Sequence, residues 1–164
     1  MNQVASACGV SKATIYHYYA SKDALVFDIL DTYLVSLRDG LLGLRLDGTT
    51  PAKQLHAVTR LFLLAYEGMD DEHRMLTEGL HWLPDTLREP LKQHQREMVS
   101  YVSEVLVANA PDTLGNDATL LRQSTMSIFG MLNWYYQWHP RATRAERTGY
   151  AAVVAELVLK GLAR

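Results

Sequence analysis

The chain has 164 residues, 48% hydrophobic and 21% charged, with a formal net charge of −2; this describes an ordinary globular protein long enough to bury a core and excludes a disordered one. Its one cysteine, Cys8, excludes an internal disulfide framework and fits a reducing, cytoplasmic compartment. No basic-then-apolar leader opens the chain, and the longest apolar stretch, Ala151 to Ala163, is interrupted by Glu156 and Lys160, so neither a secretion signal nor a membrane span is expected. A chain of net negative charge also lacks the global footprint of a nucleic-acid binder, and any such contact has to rest on local positive charge.

In chain order, Gln3 to Cys8 reads as a short helix, with Val4, Ala5 and Cys8 available to an inner face. Gly9 follows, a residue that ends helices in the left-handed conformation without a Cβ clash. Ser11 suits the N-cap of a second short helix, Lys12 to Tyr19, whose Ile15 and Tyr19 share the inward face with Val10. Ser21 caps a long third run, Asp23 to Leu46, with apolar residues spaced by threes and fours from Leu25 to Leu44. Gly48 to Pro51 breaks that run and opens the next, Ala52 to Tyr66. Further helices are expected from Asp70 or Asp71 to Leu83, from Pro84 to Ala110 with a kink near Pro90, over Asp117 to Trp138, and over Arg144 to Leu162. Period-two alternation is absent. The predicted fold class is all-α: a helical head of residues 1–46 and a helical body of residues 47–164, joined by the third helix.

Over Val4 to Leu25 the sequence V-A-S-A-C-G-V-S-K-A-T-I-Y-H-Y-Y-A-S-K-D-A-L gives helix, glycine turn, helix, cap, helix. That is the spacing of a helix-turn-helix, whose second helix enters the DNA major groove. Lys12, Ala13, Thr14, Tyr16, His17 and Tyr18 mostly face outward, and a small residue, a lysine and hydroxyls suit phosphates and base edges. Lys22, at the start of the third helix, is placed to grip a phosphate together with the helix's first amides. The segment Gly9 to Leu25 resembles the recognition segment of TetR-family repressors. The resemblance implies a ligand-responsive transcriptional regulator that binds double-stranded operator DNA as a homodimer. It places Thr14, Tyr18 and Lys22 on phosphates, and Lys12, Ala13, Tyr16 and His17 nearest the bases.

Members of that family usually carry a further helix, often with a basic arm, ahead of this unit, and the present sequence starts at Met1 without one. A late start assignment, a truncation and a naturally shortened protein remain open at this point. Without that helix, Val4, Ala5, Ile15 and Tyr19 are expected to lose cover worth roughly 1.5–3 kcal/mol each where burial would have been complete. Residues 1–22 are then expected to dock loosely and to hold DNA weakly. One alternative is therefore a ligand-binding dimer without DNA binding.

The resemblance also implies that the last two helices form the dimer interface. The final helix suits that role, with Tyr150, Val153, Val154, Leu157, Val158 and Leu162 interleaved with small residues. The middle helices are implied to hold an effector pocket, with Tyr66, His73, Leu76, Leu80, His81, Trp82, Tyr101, Phe129, Leu132, Asn133, Trp134 and Tyr135 as candidate walls. The stretch Arg74 to Leu91, with N-W-Y-Y-Q-W-H-P-R-A at Asn133 to Ala142 and L-V-L-K-G-L at Leu157 to Leu162, is similar to regulators of acyl-CoA catabolism. That similarity implies a CoA thioester as effector, its phosphates met by arginines such as Arg74, Arg88 or Arg122.

The competing class is a metal-binding helical-bundle enzyme. Glu78-x-x-His81 is a ligand pair on one helical face, but di-iron bundles need two such motifs, and Asp70-x-x-His73 is a poor second. His17, His56, His94 and His139 form no i,i+4 pair, and nucleophile-elbow, P-loop and dinucleotide motifs are missing. No catalytic residue, metal or cofactor is expected.

Overall fold

The computed structural model describes residues 1–162. Among these residues every regular element is helical: α1 (Asn2–Ala7), α2 (Lys12–Tyr18), α3 (Lys22–Leu42), α4 (Pro51–Ala65), α5 (Asp70–Gly79), a 3₁₀ turn (Leu80–Trp82), α6 (Asp85–Asn109), α7 (Pro111–Leu114), α8 (Ala118–Asn133), α9 (Tyr135–Trp138) and α10 (Arg144–Leu162). Among the described residues no helix is long and apolar enough to cross a membrane.

Local chemistry sets most boundaries. α1 ends in a paired C-terminal motif in which Val10 N–H donates to Ala5 O (3.0 Å) and Gly9 N–H to Ser6 O (3.2 Å). That geometry needs a left-handed residue, and Gly9 supplies it at φ +65°. The Ser11, Ser21, Thr50 and Asp117 side chains each accept a backbone N–H in the first turn of α2, α3, α4 and α8. Asp70, Asp71 and Glu72 open α5, where the helix dipole favours acids.

Three boundaries depart from the sequence pattern. The third helix stops at Leu42 rather than Leu46, because Gly43 caps it and Leu44 N–H turns back to Leu41 O. The short α7, opened by Pro111, has too few residues to show a period. The predicted helix Asp117 to Trp138 is divided at Trp134. There Gln137 N–H bonds to Trp134 O, three residues back, and Asn133 O accepts instead from His73 Nε2 of α5 (3.1 Å).

The core lies among α3, α4, α6, α8 and α10. α10 packs on α4, α3 on α6, and α6 on both α4 and α8. Leu30, Leu34 and Leu41 of α3, Leu55, Phe62 and Leu63 of α4, Leu91 and Leu106 of α6, and Ile128 of α8 are fully buried. Each such side chain stabilises by roughly 1.5–3 kcal/mol on burial. Arg147 is buried with them, its guanidinium donating to Ala142 O, Leu63 O and Asp70 Oδ1 while lying over the Tyr135 ring. A buried charge held this way fixes α10 to the α4–α5 junction, and removing it leaves carbonyls unpaired.

Candidate functional site

At the head, α1 and α2 are both formed and touch each other. Ala5 and Ile15 are buried, and Tyr19 is half-buried with its hydroxyl donating to Asp28 Oδ2 of α3 (2.7 Å). That hydrogen bond to a carboxylate holds the Tyr19 hydroxyl pKa above its ordinary value. The expectation that Val4, Ala5, Ile15 and Tyr19 all lose cover is therefore corrected: of the four, Val4 is the exposed one, at 40%, and Val10 beside the turn is similar.

Lys12, Ala13, Thr14, Tyr16, His17, Tyr18 and Lys22 are all exposed, with Tyr18 at 75%. Lys12 Nζ lies 5.7 Å from the centre of the Tyr16 ring, and His17 stands edge-on to Tyr18. The Thr14 hydroxyl bonds to the Ser11 hydroxyl (2.8 Å), so the cap also orients a surface side chain. Residues 1–22 contain Lys12 and Lys22 and no carboxylate side chain, which is the local positive charge that an acidic chain needs for a phosphate surface.

α3 links this head to the body. Arg38 of α3 donates to His94 Nδ1 of α6 (2.7 Å), and His94 Nε2 donates to Asp31 Oδ1 of α3 (3.0 Å). An arginine only donates, so Nδ1 accepts here and the imidazole bridges the two helices through both of its nitrogens.

Between α3, α4, α6 and α8 lies a cavity of about 530 Å³, walled by Leu34, Leu37, Phe62, Met98, Val99 and Phe129. It adjoins a groove of about 470 Å³ bordered by Thr77, Leu80, His81 and Arg88. His73, Leu76, Lys92, Gln95 and Asn133 line both. The cationic groups are Lys92, Arg96 and Arg122 in the cavity and Arg88 and Lys92 in the groove, and among the described residues no carboxylate lines either space. Arg88 donates to Asp85 and to His81 O, yet its Nε is buried without a partner. Lys92 and Arg96 pair with Glu89, and Lys92 as its hydrogen-bond donor is the main cause of that carboxyl's lowered pKa.

A polar chain closes one side of the cavity. His73 Nε2 must donate to Asn133 O, because a carbonyl only accepts, so Nδ1 accepts from the Tyr33 hydroxyl (3.0 Å). The Tyr66 hydroxyl donates to Asn133 Oδ1 (2.8 Å). Burial lowers the His73 pKa, in partial opposition to its Asn133 hydrogen bond and the Asp70 charge, and burial raises both tyrosines far above the usual phenol range. All three side chains are thus held neutral at physiological pH.

Of the sequence-predicted pocket residues, Tyr66, His73, Leu76, Phe129, Asn133 and Arg122 meet at the cavity, and Leu80, His81 and Arg88 at the groove. Trp82 and Trp134 are 73% and 60% exposed and line neither space, which corrects their assignment as pocket walls. Tyr101, Leu132, Tyr135 and Arg74 also lie outside; Tyr135 stacks on Tyr150, centroids 4.6 Å apart. Sequence reasoning missed Lys92, Gln95 and Arg96, which read as the solvated face of α6. Glu78 and His81 do not share a helical face, since α5 ends at Gly79 and His81 belongs to the 3₁₀ turn. Among the described residues no three His, Cys, Asp or Glu side chains are grouped to hold a metal ion.

α10 has two apolar faces. Ala151, Val154 and Ala155 are buried in the subunit, so one face of the helix is spent within it. Val153 and Leu157 remain exposed at 51% and 59%, and α8 exposes Leu120 and Met126. A Cβ added at Gly130, Gly149 or Gly161 would meet nothing, so these positions present open, small-residue surface.

No curated protein matches the chain. The family model described as bacterial regulatory proteins, tetR family, matches residues 1–29, and the one described as tetracyclin repressor-like, C-terminal domain, matches residues 48–162. A TetR-family transcriptional regulator from Bordetella parapertussis is similar at 33% identity, over 96% of this chain and 82% of that one, with a TM-score of 0.84. Two other similar structures carry ligands. AibR in complex with isovaleryl coenzyme A and operator DNA has 21% identity, 95% and 84% coverage and a TM-score of 0.79. FadR from Bacillus subtilis in complex with stearoyl-CoA has 14% identity, 98% and 87% coverage and a TM-score of 0.67. Both family models and a relative at one-third identity over nearly the whole chain agree: the chain belongs to the TetR family of transcriptional regulators.

Proposed function

We propose that the protein is a dimeric repressor that binds operator DNA through α2 and is released by a CoA thioester. The reading divides the chain into a DNA-binding unit, residues 1–46, and an effector-binding and dimerisation unit, residues 47–164, with α3 crossing between them. Lys12, Ala13, Tyr16 and His17 face base edges, while Thr14, Tyr18 and Lys22 hold phosphates. Val153 and Leu157 of α10, with Leu120 and Met126 of α8, form the apolar centre of the dimer contact. Its work is regulation in the cytoplasm rather than catalysis.

One observation carries the effector assignment: an apolar cavity opens onto a groove with cations and no carboxylate lining, in a chain whose net charge is negative. An acyl chain fits the first space, and the phosphates of CoA fit the second, beside the Arg88 and Lys92 side chains that line it. The ligands of AibR and FadR belong to the same chemical class. The test is thermal shift with butyryl-, octanoyl- and palmitoyl-CoA beside CoA alone and the free acids, repeated as displacement of a bound operator duplex. At least one thioester raises Tm and releases DNA while the free acids do neither. No response to any thioester would sink the assignment.

A further inference from the structure

The junction between cavity and groove holds a polar group with a defined vacancy. Tyr66 donates to Asn133 Oδ1, and His73 donates to the Asn133 backbone carbonyl. Both acceptors of Asn133 are thereby engaged, and what its side chain still offers is the amide N–H₂, which donates to no group among the described residues and is not sealed from solvent in this half-buried residue. Tyr66 and His73 have each committed their one N–H or O–H proton, so neither can donate to a ligand without breaking the chain. Asn133 also lines both the apolar cavity and the cationic groove. In a molecule with an apolar tail at one end and an anionic head at the other, the linking group lies at this junction.

We propose that Asn133 is the specificity-determining residue that donates to the carbonyl oxygen linking the effector's apolar and anionic parts. This rests on the CoA-thioester reading above and adds what that reading leaves open, the group that distinguishes a thioester from any other amphiphilic anion. The Tyr66 bond fixes the amide's orientation, so the donor is set in place before the ligand arrives. Gln95, the other amide at the junction, is not tethered by a hydrogen bond in this way and serves as the control.

The experiment uses the full chain and two matched probes, octanoyl-CoA and the thioether S-octyl-CoA, which differ at the carbonyl. Isothermal titration of the unmodified protein gives the thioester about 5-fold tighter, the ratio that one hydrogen bond of about 1 kcal/mol supplies. Asn133→Leu brings the two affinities together, whereas Gln95→Leu leaves their ratio intact. Because the readout is a ratio of two ligands on one protein, a general loss of stability in the variant does not imitate it. Should Asn133→Leu not fold, the unmodified protein and Gln95→Leu still decide the matter. Equal affinity of the unmodified protein for both probes overturns the role of Asn133 while leaving the thioester reading in place. The same role falls if the ratio survives Asn133→Leu or is lost in Gln95→Leu. Failure of both probes to bind, with no shift from butyryl- or palmitoyl-CoA, overturns both.

Discussion

Acidification from neutrality to about pH 5 weakens the folded state through His73. This side chain is 3% exposed, and its two nitrogens are committed to opposite roles, Nε2–H donating to Asn133 O and Nδ1 accepting from the Tyr33 hydroxyl. Protonation puts a second hydrogen on Nδ1 and a charge into a site formed by Tyr33, Tyr66, Asn133 and Tyr136, with Asp70 and Glu72 of α5 as the nearby acids. Burial wins over those acids and depresses the folded pKa below 6.5. The unfolded chain therefore takes up the proton first as the pH drops. Stability is complete above 6.5, declines as the pH falls from there toward the lowered folded value, and levels off below it. Within that window this one residue contributes a slope approaching 1.4 kcal/mol per pH unit. The assay is urea unfolding at fixed protein concentration across the range, comparing the natural chain with His73→Gln. The variant keeps a donor for Asn133 O and leaves the Tyr33 hydroxyl unpaired, at a cost of about 1–3 kcal/mol at neutral pH. The gap between the two proteins narrows as the pH falls. A gap independent of pH, or one that widens in acid, refutes the buried neutral assignment.

Arg147→Ala costs about 3 kcal/mol in urea unfolding, since it leaves Ala142 O and Leu63 O unpaired in the core, whereas Arg147→Met, which refills the volume, costs less. Lys22→Ala weakens binding to a specific duplex and to an unrelated one by similar factors, and it lowers the slope of log affinity against log salt by about 1, read by fluorescence anisotropy. Leu157→Glu, at the exposed face of α10, buries an unpaired charge in the proposed dimer and weakens association about 100-fold or more by sedimentation equilibrium. Gly9→Ala destabilises the head by about 1 kcal/mol, because the φ of +65° strains any residue with a Cβ. Proteolysis between α1 and α2 reports it.

Much of the fold was legible because its determinants are local. The caps at Ser11, Ser21, Thr50 and Asp117, the left-handed Gly9 and the threes-and-fours spacing of α3 and α4 are all properties of short windows. So was the head, where Lys12 to Tyr18 form one turn-spaced surface. What escaped the sequence depends on partners far along the chain. The break at Trp134 exists because His73, 60 residues earlier, takes the Asn133 carbonyl out of the helical ladder. Trp82 and Trp134 suggest pocket walls by type, yet the 3₁₀ turn after α5 and the end of α8 turn both outward. Lys92, Gln95 and Arg96 look like ordinary surface on α6, and they border the cavity because α3 and α8 approach that helix from either side. The composition of α10 suits a dimer interface, and it does not reveal that one face is spent on α4 within the subunit.

The central claim is that this chain reads DNA as a symmetric dimer and lets go on binding a thioester. Selection from a random duplex library, followed by anisotropy on the enriched duplex with and without octanoyl- and palmitoyl-CoA, tests it most directly. The account predicts an inverted repeat with two half-sites, bound in a strongly salt-dependent way and released by a thioester at concentrations where the free acid has no effect. Enrichment of no inverted repeat, or a complex that no thioester dissociates, would contradict it.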